Sequence, residues 1–377
     1  MKWRFVLRFV LALALVWCVL VEVAEAVARW GFALELDGDC FLLLASSSAA
    51  ELADFFRLYR WLLVSAAAVF LASASALTVL ALRWRRRKLF CLGAFAAVYV
   101  ALAAGFAGSL KAWKPLYVAY DLVRSFSDYR RLARDGAWTQ DRERQRVVAP
   151  PGTTNLVMVI GESLTCDRMS LYGYGKCTTP RLQALVGEGL EVLAPPPVRY
   201  PDTARQLREL FYDGEATMAV RLRLQGYRTV LLSAQRHWER YAGVEQMIFA
   251  ACERKVYLEE VLGRPDGYDG DLLPLLRSEF EREDARPLAV FVHLMGSHFD
   301  PADRMPVDFV AAAGLDAYDL SVAYTDEVLA AIIGMLPPNT VLDFVSDHGE
   351  SVDRPTWRDL SSSSLWRVPH LRFYKGR

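Results

Sequence analysis

Two runs of 22 residues without a charged side chain, Trp61–Leu82 and Leu89–Leu110, constrain this chain more than any other feature. About 20 apolar residues let a helix cross a bilayer, so each run reads as a membrane span. Between them lies Arg83-Trp84-Arg85-Arg86-Arg87-Lys88, a short and strongly basic loop. The positive-inside rule makes that loop cytoplasmic and puts both ends of the hairpin on the other side. A buried helical hairpin of a soluble protein is the alternative, and uncharged runs of this length argue against it. Ahead of the hairpin, a basic start, an apolar stretch from Phe9 to Val21 and then Ala24-Glu25-Ala26 fit a first transmembrane helix or a cleaved secretory signal. We take the retained helix, because more spans follow. Either way, everything after Leu110 is expected outside the cytoplasm.

Hydrophobic residues make up 53% of 377, the excess concentrating in those first 110 positions, and formal net charge is zero. Global charge therefore suggests no nucleic-acid partner. Residues 111–136 interleave aromatics with Lys and Arg, which suits an amphipathic helix at a membrane surface or an ordinary linker helix. A polar tether closed by Pro150-Pro151-Gly152 follows. The expected organisation is transmembrane helices over 1–110, a juxtamembrane helix and linker over 111–154, and a separate domain over 155–377.

From residue 155 onward, apolar strands alternate with helical patterns. Strands are expected at 155–160, 228–233, 288–295, 340–346 and 368–374, with helices beginning near Pro180, Thr203, Ala216, Gly270 and Tyr318. Continuous apolar strands separated by helices argue a mostly parallel α/β sheet covered on both faces. Ligands of such sheets sit beyond the carboxyl ends of the strands. Three of these ends carry chemistry. The first runs into Gly161-Glu162-Ser163, another into Gly296-Ser297-His298, and a third into Ser346-Asp347-His348-Gly349. In a chain with five histidines, that brings Glu162, His298, Asp347 and His348 to one edge. Carboxylate and imidazole together suit zinc before manganese, in an open, catalytic arrangement. Acidic residues often cap strands or helices, so a single such end would mean little.

The stretch "VMVIGESLTCDRMSLYGYGKCTTPRL", with "VHLMGSH", "YDLSVAYTDEVLAAII" and "VSDHGES" in the same order, resembles the phosphoethanolamine transferases, membrane-anchored members of the alkaline phosphatase superfamily. The resemblance covers roughly 155–350 and is greatest to the branch that modifies heptose in the lipopolysaccharide core. It implies an alkaline-phosphatase-like sheet sandwiched by helices, in the periplasm and anchored by several helices in a bacterial inner membrane. It also implies a zinc ion held by Glu162, Thr203, Asp347 and His348. Thr203, 41 residues after Glu162, would be the nucleophile, and His298 would contact the phosphoryl group or move a proton. Phosphoethanolamine would pass from phosphatidylethanolamine to Thr203, and then to an envelope glycan, either lipopolysaccharide core or lipid A. The residues themselves agree: a threonine hydroxyl needs a metal or base to become nucleophilic, and a helix N-terminus favours phosphate. Thr203 or Asp202 could equally be a simple helix cap, and the two roles are compatible.

Departures from the family pattern are also plain. A histidine expected after "DHGE" is missing; Ser364 stands near that position, and His370 reads as a packed strand residue. His293 reads as structural, and His237 could reach the site. Thr178 and Thr179 are weaker nucleophile candidates in a turn. Cys166 and Cys177 flank a loop that a disulfide could close in an oxidising compartment. The sulfatase nucleophile motif fails in "CTTPR", where Pro180 comes one position late. A phosphoglycerol transferase or related phosphodiester hydrolase remains the enzymatic alternative. A degenerate glycan- or lipid-binding relative is the non-enzymatic one.

Overall fold

The computed structural model describes residues 13–27 (except 15), 60–75, 117–123 and 154–376, the last with breaks at 214, 236–243, 265–266, 299 and 353–361. The chain divides into two compact units, residues 1–129 and 130–377. In the first, residues 16–27, 60–75 and 117–123 are helical. Among the described residues no helix is long and apolar enough to cross a membrane. The expected span at Leu89–Leu110 lies outside them, as does the end of the span that begins at Trp61.

The second unit is built on a seven-stranded sheet: β1 Asn155–Gly161, β2 Leu190–Leu193, β3 Arg228–Ser233, β4 Arg254–Tyr257, β5 Leu288–His293, β6 Thr340–Ser346 and β7 His370–Lys375, in spatial order β2-β7-β6-β1-β5-β3-β4. The five strands from β6 to β4 run parallel, whereas β7 is antiparallel to both β6 and β2. The sheet is therefore mostly parallel, as the apolar runs predict, with a reversed strand near one edge.

Alternation along the strands explains the layering. Val157, Val159, Val290, Val292, Leu342 and Phe344 belong to one buried cluster, with Val322, Leu329 and Ile332 of helix Ala317–Met335. Ile160, Leu231, Ala289 and Phe291 belong to another, with Leu207 and Phe211 of helix Thr203–Phe211. Phe211, Phe249 and Phe291 pack there with centroids 4.8 to 6.0 Å apart. Apolar side chains on both sides of each strand need cover on both faces, and the crossover helices supply it. Four helices matter below: α1 Pro180–Val186, α2 Thr203–Phe211, α3 Leu272–Glu281 and α4 Ala317–Met335.

Cys166 is buried, Cys177 is exposed, and neither is paired. The loop they flank is held instead by Asp319 of α4, which accepts from Arg168 at 2.8 Å and from Lys176 at 2.6 Å.

Candidate metal centre

β1 is central, flanked by β5 and β6, and all three end at the same edge of the sheet. The register continues past the strands: Asp347 N–H donates to the Gly161 carbonyl at 3.0 Å, and Ser297 N–H to the Glu162 carbonyl at 2.9 Å. The loops that follow β1, β5 and β6 are thus tied together. Ser346 Oγ adds a tie, accepting from Leu164 N–H and donating to the His348 carbonyl, each at 3.1 Å. From α4, the Tyr318 hydroxyl donates to the Ser163 carbonyl at 2.7 Å.

Glu162, Asp347 and His348 are all buried, and ligand-type atoms of the three lie within 4.8 Å of one another. His348 Nδ1 is 2.8 Å from the Gly349 carbonyl. A carbonyl can only accept, so Nδ1 carries a proton, and in the neutral imidazole Nε2 presents a lone pair. That lone pair stands 3.5 Å from Glu162 Oε1 and 3.4 Å from Asp347 Oδ2. Asp347 Oδ1 accepts from the amides of Ser163 and His348, at 3.1 and 2.6 Å, whereas its buried Oδ2 has no hydrogen-bond partner. Burial pushes the Asp347 carboxyl above the usual carboxylate range, and the His348 amide only partly offsets it. Carboxylate oxygens and an imidazole nitrogen gathered this closely can share a cation. Two carboxylates and a neutral imidazole form a donor set that suits zinc. The residues fit the group.

Thr203 opens α2. Asp202 caps that helix through its bond from Arg205 N–H, 3.0 Å, which leaves the Thr203 side chain for other work. Thr203 Oγ1 donates to Glu162 Oε2 at 2.8 Å and lies 3.5 Å from His348 Nε2. Gln206 fixes the approach to the helix, accepting from Arg199 and Tyr200 amides at 3.1 Å each. The hydroxyl therefore sits beside the carboxylate–imidazole cluster at a helix N-terminus, whose dipole favours negative charge.

The other candidates are placed as follows. His298 is half-buried one residue beyond Ser297, its carbonyl held by Arg304 Nε at 3.0 Å. His293 ends β5, buried, with Nδ1 2.7 Å from Glu245. His370 opens β7 and pairs with Asp343 at 2.7 Å. Ser364 Oγ donates to Asp167 at 2.9 Å. Thr178 and Thr179 are buried in their turn, accepting from the Ser170 and Leu171 amides. His237 lies outside the described residues.

Sequence reasoning missed Ser163. Its φ of 56° is unusual for a residue with a side chain, and its hydroxyl donates to Glu162 Oε1 at 2.7 Å. Strain of this kind persists where the surroundings over-determine a site. Only its place directly after Glu162 hinted at a role.

Comparison with known proteins gives a consistent picture. Residues 197–376 match the sulfatase family. The phosphoethanolamine transferase EptC of Escherichia coli K12 is 28% identical over 256 residues, 57% of this chain and 44% of that protein. The chain spans about half the length of the curated relatives it matches. The crystal structure of the C-terminal periplasmic domain of E. coli EptC with zinc is 25% identical, covers 59% of this chain and 73% of that one, and gives a TM-score of 0.52. The integral membrane protein EptA, a lipooligosaccharide phosphoethanolamine transferase of Neisseria meningitidis, shares the fold. It is 18% identical, with a TM-score of 0.58, 98% of this chain and 77% of that one being covered.

Proposed function

Since the chain carries a sulfatase-family domain of the alkaline phosphatase superfamily, we propose that it is a zinc-dependent phosphoethanolamine transferase acting from phosphatidylethanolamine onto a cell-envelope glycan. One observation carries the reading. The Thr203 hydroxyl stands at the start of α2, 2.8 Å from Glu162 Oε2, over the cluster of Glu162, Asp347 and His348. EptC supports the choice of donor headgroup by name, and its zinc complex supports the choice of metal.

In this reading Glu162, Asp347, His348 and Thr203 hold the cation. When bound, it supplies positive charge that lowers the threonine pKa and stabilises the phosphoryl oxygens. Glu162 Oε2 orients the Thr203 hydroxyl and is the nearest acceptor for its proton. Thr203 Oγ1 attacks the donor phosphorus, a Thr203 O–P bond forms, and the P–O bond to diacylglycerol breaks. The leaving oxygen takes up a proton, and diacylglycerol departs. A hydroxyl or phosphate oxygen of the acceptor then attacks the same phosphorus, the Thr203 O–P bond breaks, and Thr203 Oγ1 regains a proton from the acceptor hydroxyl or from solvent. The α2 N-terminus favours the phosphoryl charge throughout. His298 is assigned to phosphoryl contact or proton transfer. We place the domain in the periplasm of a bacterial inner-membrane protein, where the donor headgroup and the acceptor both occur.

The test is adduct mapping. The zinc-loaded protein is incubated with phosphatidylethanolamine, and its peptides are analysed by mass spectrometry. Phosphoethanolamine on Thr203, absent after chelation and in Glu162→Ala, is the expected outcome. A folded, zinc-loaded protein with bare Thr203 and intact donor would remove phosphatidylethanolamine from the reading. Phosphatidylglycerol would be the next donor tried.

A further inference from the structure

We infer that Asp269, a residue outside every motif above, is a positioning residue for the metal centre: its carboxylate clamps the turn Met295–Ser297 against the backbone of Glu162. The inference rests on the metal-dependent reading of the site.

Asp269 begins the short 3-10 turn Asp269–Asp271 ahead of α3 and is buried. Both of its oxygens serve one target. Oδ1 accepts from Met295 N–H at 2.7 Å and Oδ2 from Gly296 N–H at 2.9 Å. Burial pushes this carboxyl up to about 6, against the two amides and the charges of Arg304 and His293, which favour ionisation. Hiding a carboxylate is expensive, and a shorter polar side chain or an amide would cost less. Among side chains of this length, however, only a carboxylate can accept from two consecutive amides with separate oxygens; asparagine has a single acceptor atom.

The gripped turn is the one that meets Glu162. Ser297 N–H donates to the Glu162 carbonyl at 2.9 Å, and Ser297 Oγ accepts from Ser321 of α4 at 2.8 Å. Gly296, at φ 53°, lies so close that a Cβ would stand 2.6 Å from the Glu162 oxygen and 3.0 Å from its nitrogen. Glu162 is thus pressed by this turn on one side and bonded through its neighbours to Asp347 on the other. Such confinement holds Ser163 in its left-handed conformation and sets where the Glu162 carboxylate meets Thr203. The clamp also fixes the turn that carries His298.

The experiment compares full-length wild type, Asp269→Ala, Asp269→Asn and Leu276→Ala by zinc affinity, from competition with a chromophoric chelator, and by metal-free thermal unfolding. Leu276 is buried on α3, and its apolar side chain can hold none of the turn's amides, so its variant reports loss of core packing. Asp269→Ala is expected to weaken zinc binding about tenfold or more, the scale of residues that orient metal ligands. Asp269→Asn, which keeps one of the two amide bonds, falls between it and wild type. Leu276→Ala lowers the melting temperature and leaves zinc affinity unchanged. Wild-type affinity in either Asp269 variant would overturn the clamp. So would a parallel loss of affinity in Leu276→Ala. Wild type that binds no zinc would instead remove the underlying metal-centre reading.

Discussion

Asp347 is only half satisfied in the fold that presents it. Its Oδ1 is satisfied by two amides, but Oδ2 is buried without a partner. In Asp347→Asn the amide oxygen can keep the Oδ1 bonds, while the new NH2 donor faces Glu162 and Thr203. Removing a buried, unpaired charge relieves a real penalty. Metal-free Asp347→Asn should therefore melt at or above the wild-type temperature. Zinc should raise the melting point of wild type and not that of the variant, which lacks an anionic ligand. Thermal shift with chelator and with zinc checks both; a destabilised metal-free variant would sink the argument. A second contrast concerns histidine. His370 is tied to Asp343 by a 2.7 Å contact, so His370→Ala should leave the rate of Thr203 adduct formation within about threefold of wild type. A much larger loss would mean that it replaces the missing distal histidine. At this scale Glu162, Asp347 and His348 were legible because each lies just past a strand end, where a continuous apolar run stops on polar residues. Ser163 and Asp269 were not. Their roles depend on one positive φ and on two amides 26 and 27 positions away, and neither leaves a pattern in local sequence.

Elements tell a similar story with a different cause. β1, β3, β5 and β6 were readable because burial on both faces writes itself into continuous Val, Leu, Ile and Phe, and β7 because Leu371 and Phe373 alternate with exposed residues. β2, "LEVL", and β4, "RKVY", carry charges and four residues each; their strand character comes from pairing with β7 and β3, not from their own composition. Helix starts were legible where a cap preceded them, as Asp202 does for α2. The start of α1 is served from a distance: Asp326 of α4 accepts from the amides of Arg181 and Leu182 at 3.1 and 2.9 Å. Burial pushes the Asp326 carboxyl up to about 6, although these amides and Arg181 oppose it. A folded pKa raised above the unfolded value means that its contribution is fully present below about pH 4 and is lost as pH rises through about 6. Against Asp326→Asn, which does not titrate, wild type should lose on the order of 2 kcal/mol between pH 4.5 and 7.5. Parallel stability profiles of the two proteins would refute this. The β6 end makes a steric prediction. A Cβ on Gly349 would stand 2.0 Å from the Ser364 carbonyl oxygen, and Gly349 N–H donates to Leu365. The obstacle is backbone that Gly349 itself hydrogen-bonds, not a side chain that can turn away, so Gly349→Ala should cost about 3 kcal/mol or more. Denaturant unfolding measures it, and a near-neutral result would mean that the 363–365 turn can lift.

At the scale of the molecule, the question is why chemistry of this kind would be tied to an apolar N-terminal unit at all. The unit over 130–377 has its own cores on both faces of its sheet, and all four proposed metal ligands lie within it. Nothing in the proposed bond-making therefore requires residues 1–129. What those residues can supply is location: the proposed donor phosphate lies at a bilayer surface, and a tether turns a chance encounter into a local one. Effective concentration, not a new contact, is the expected gain. A fragment of residues 130–377 should bind zinc as the full chain does and cleave a water-soluble phosphodiester at the same rate. On phosphatidylethanolamine vesicles it should fall behind the full-length protein by about a hundredfold. Adding a basic amphipathic membrane anchor of unrelated sequence to the fragment should restore much of that loss. If the fragment matches the full chain on vesicles, tethering contributes nothing. If a foreign anchor fails to rescue it, residues 1–129 take part in binding the donor itself.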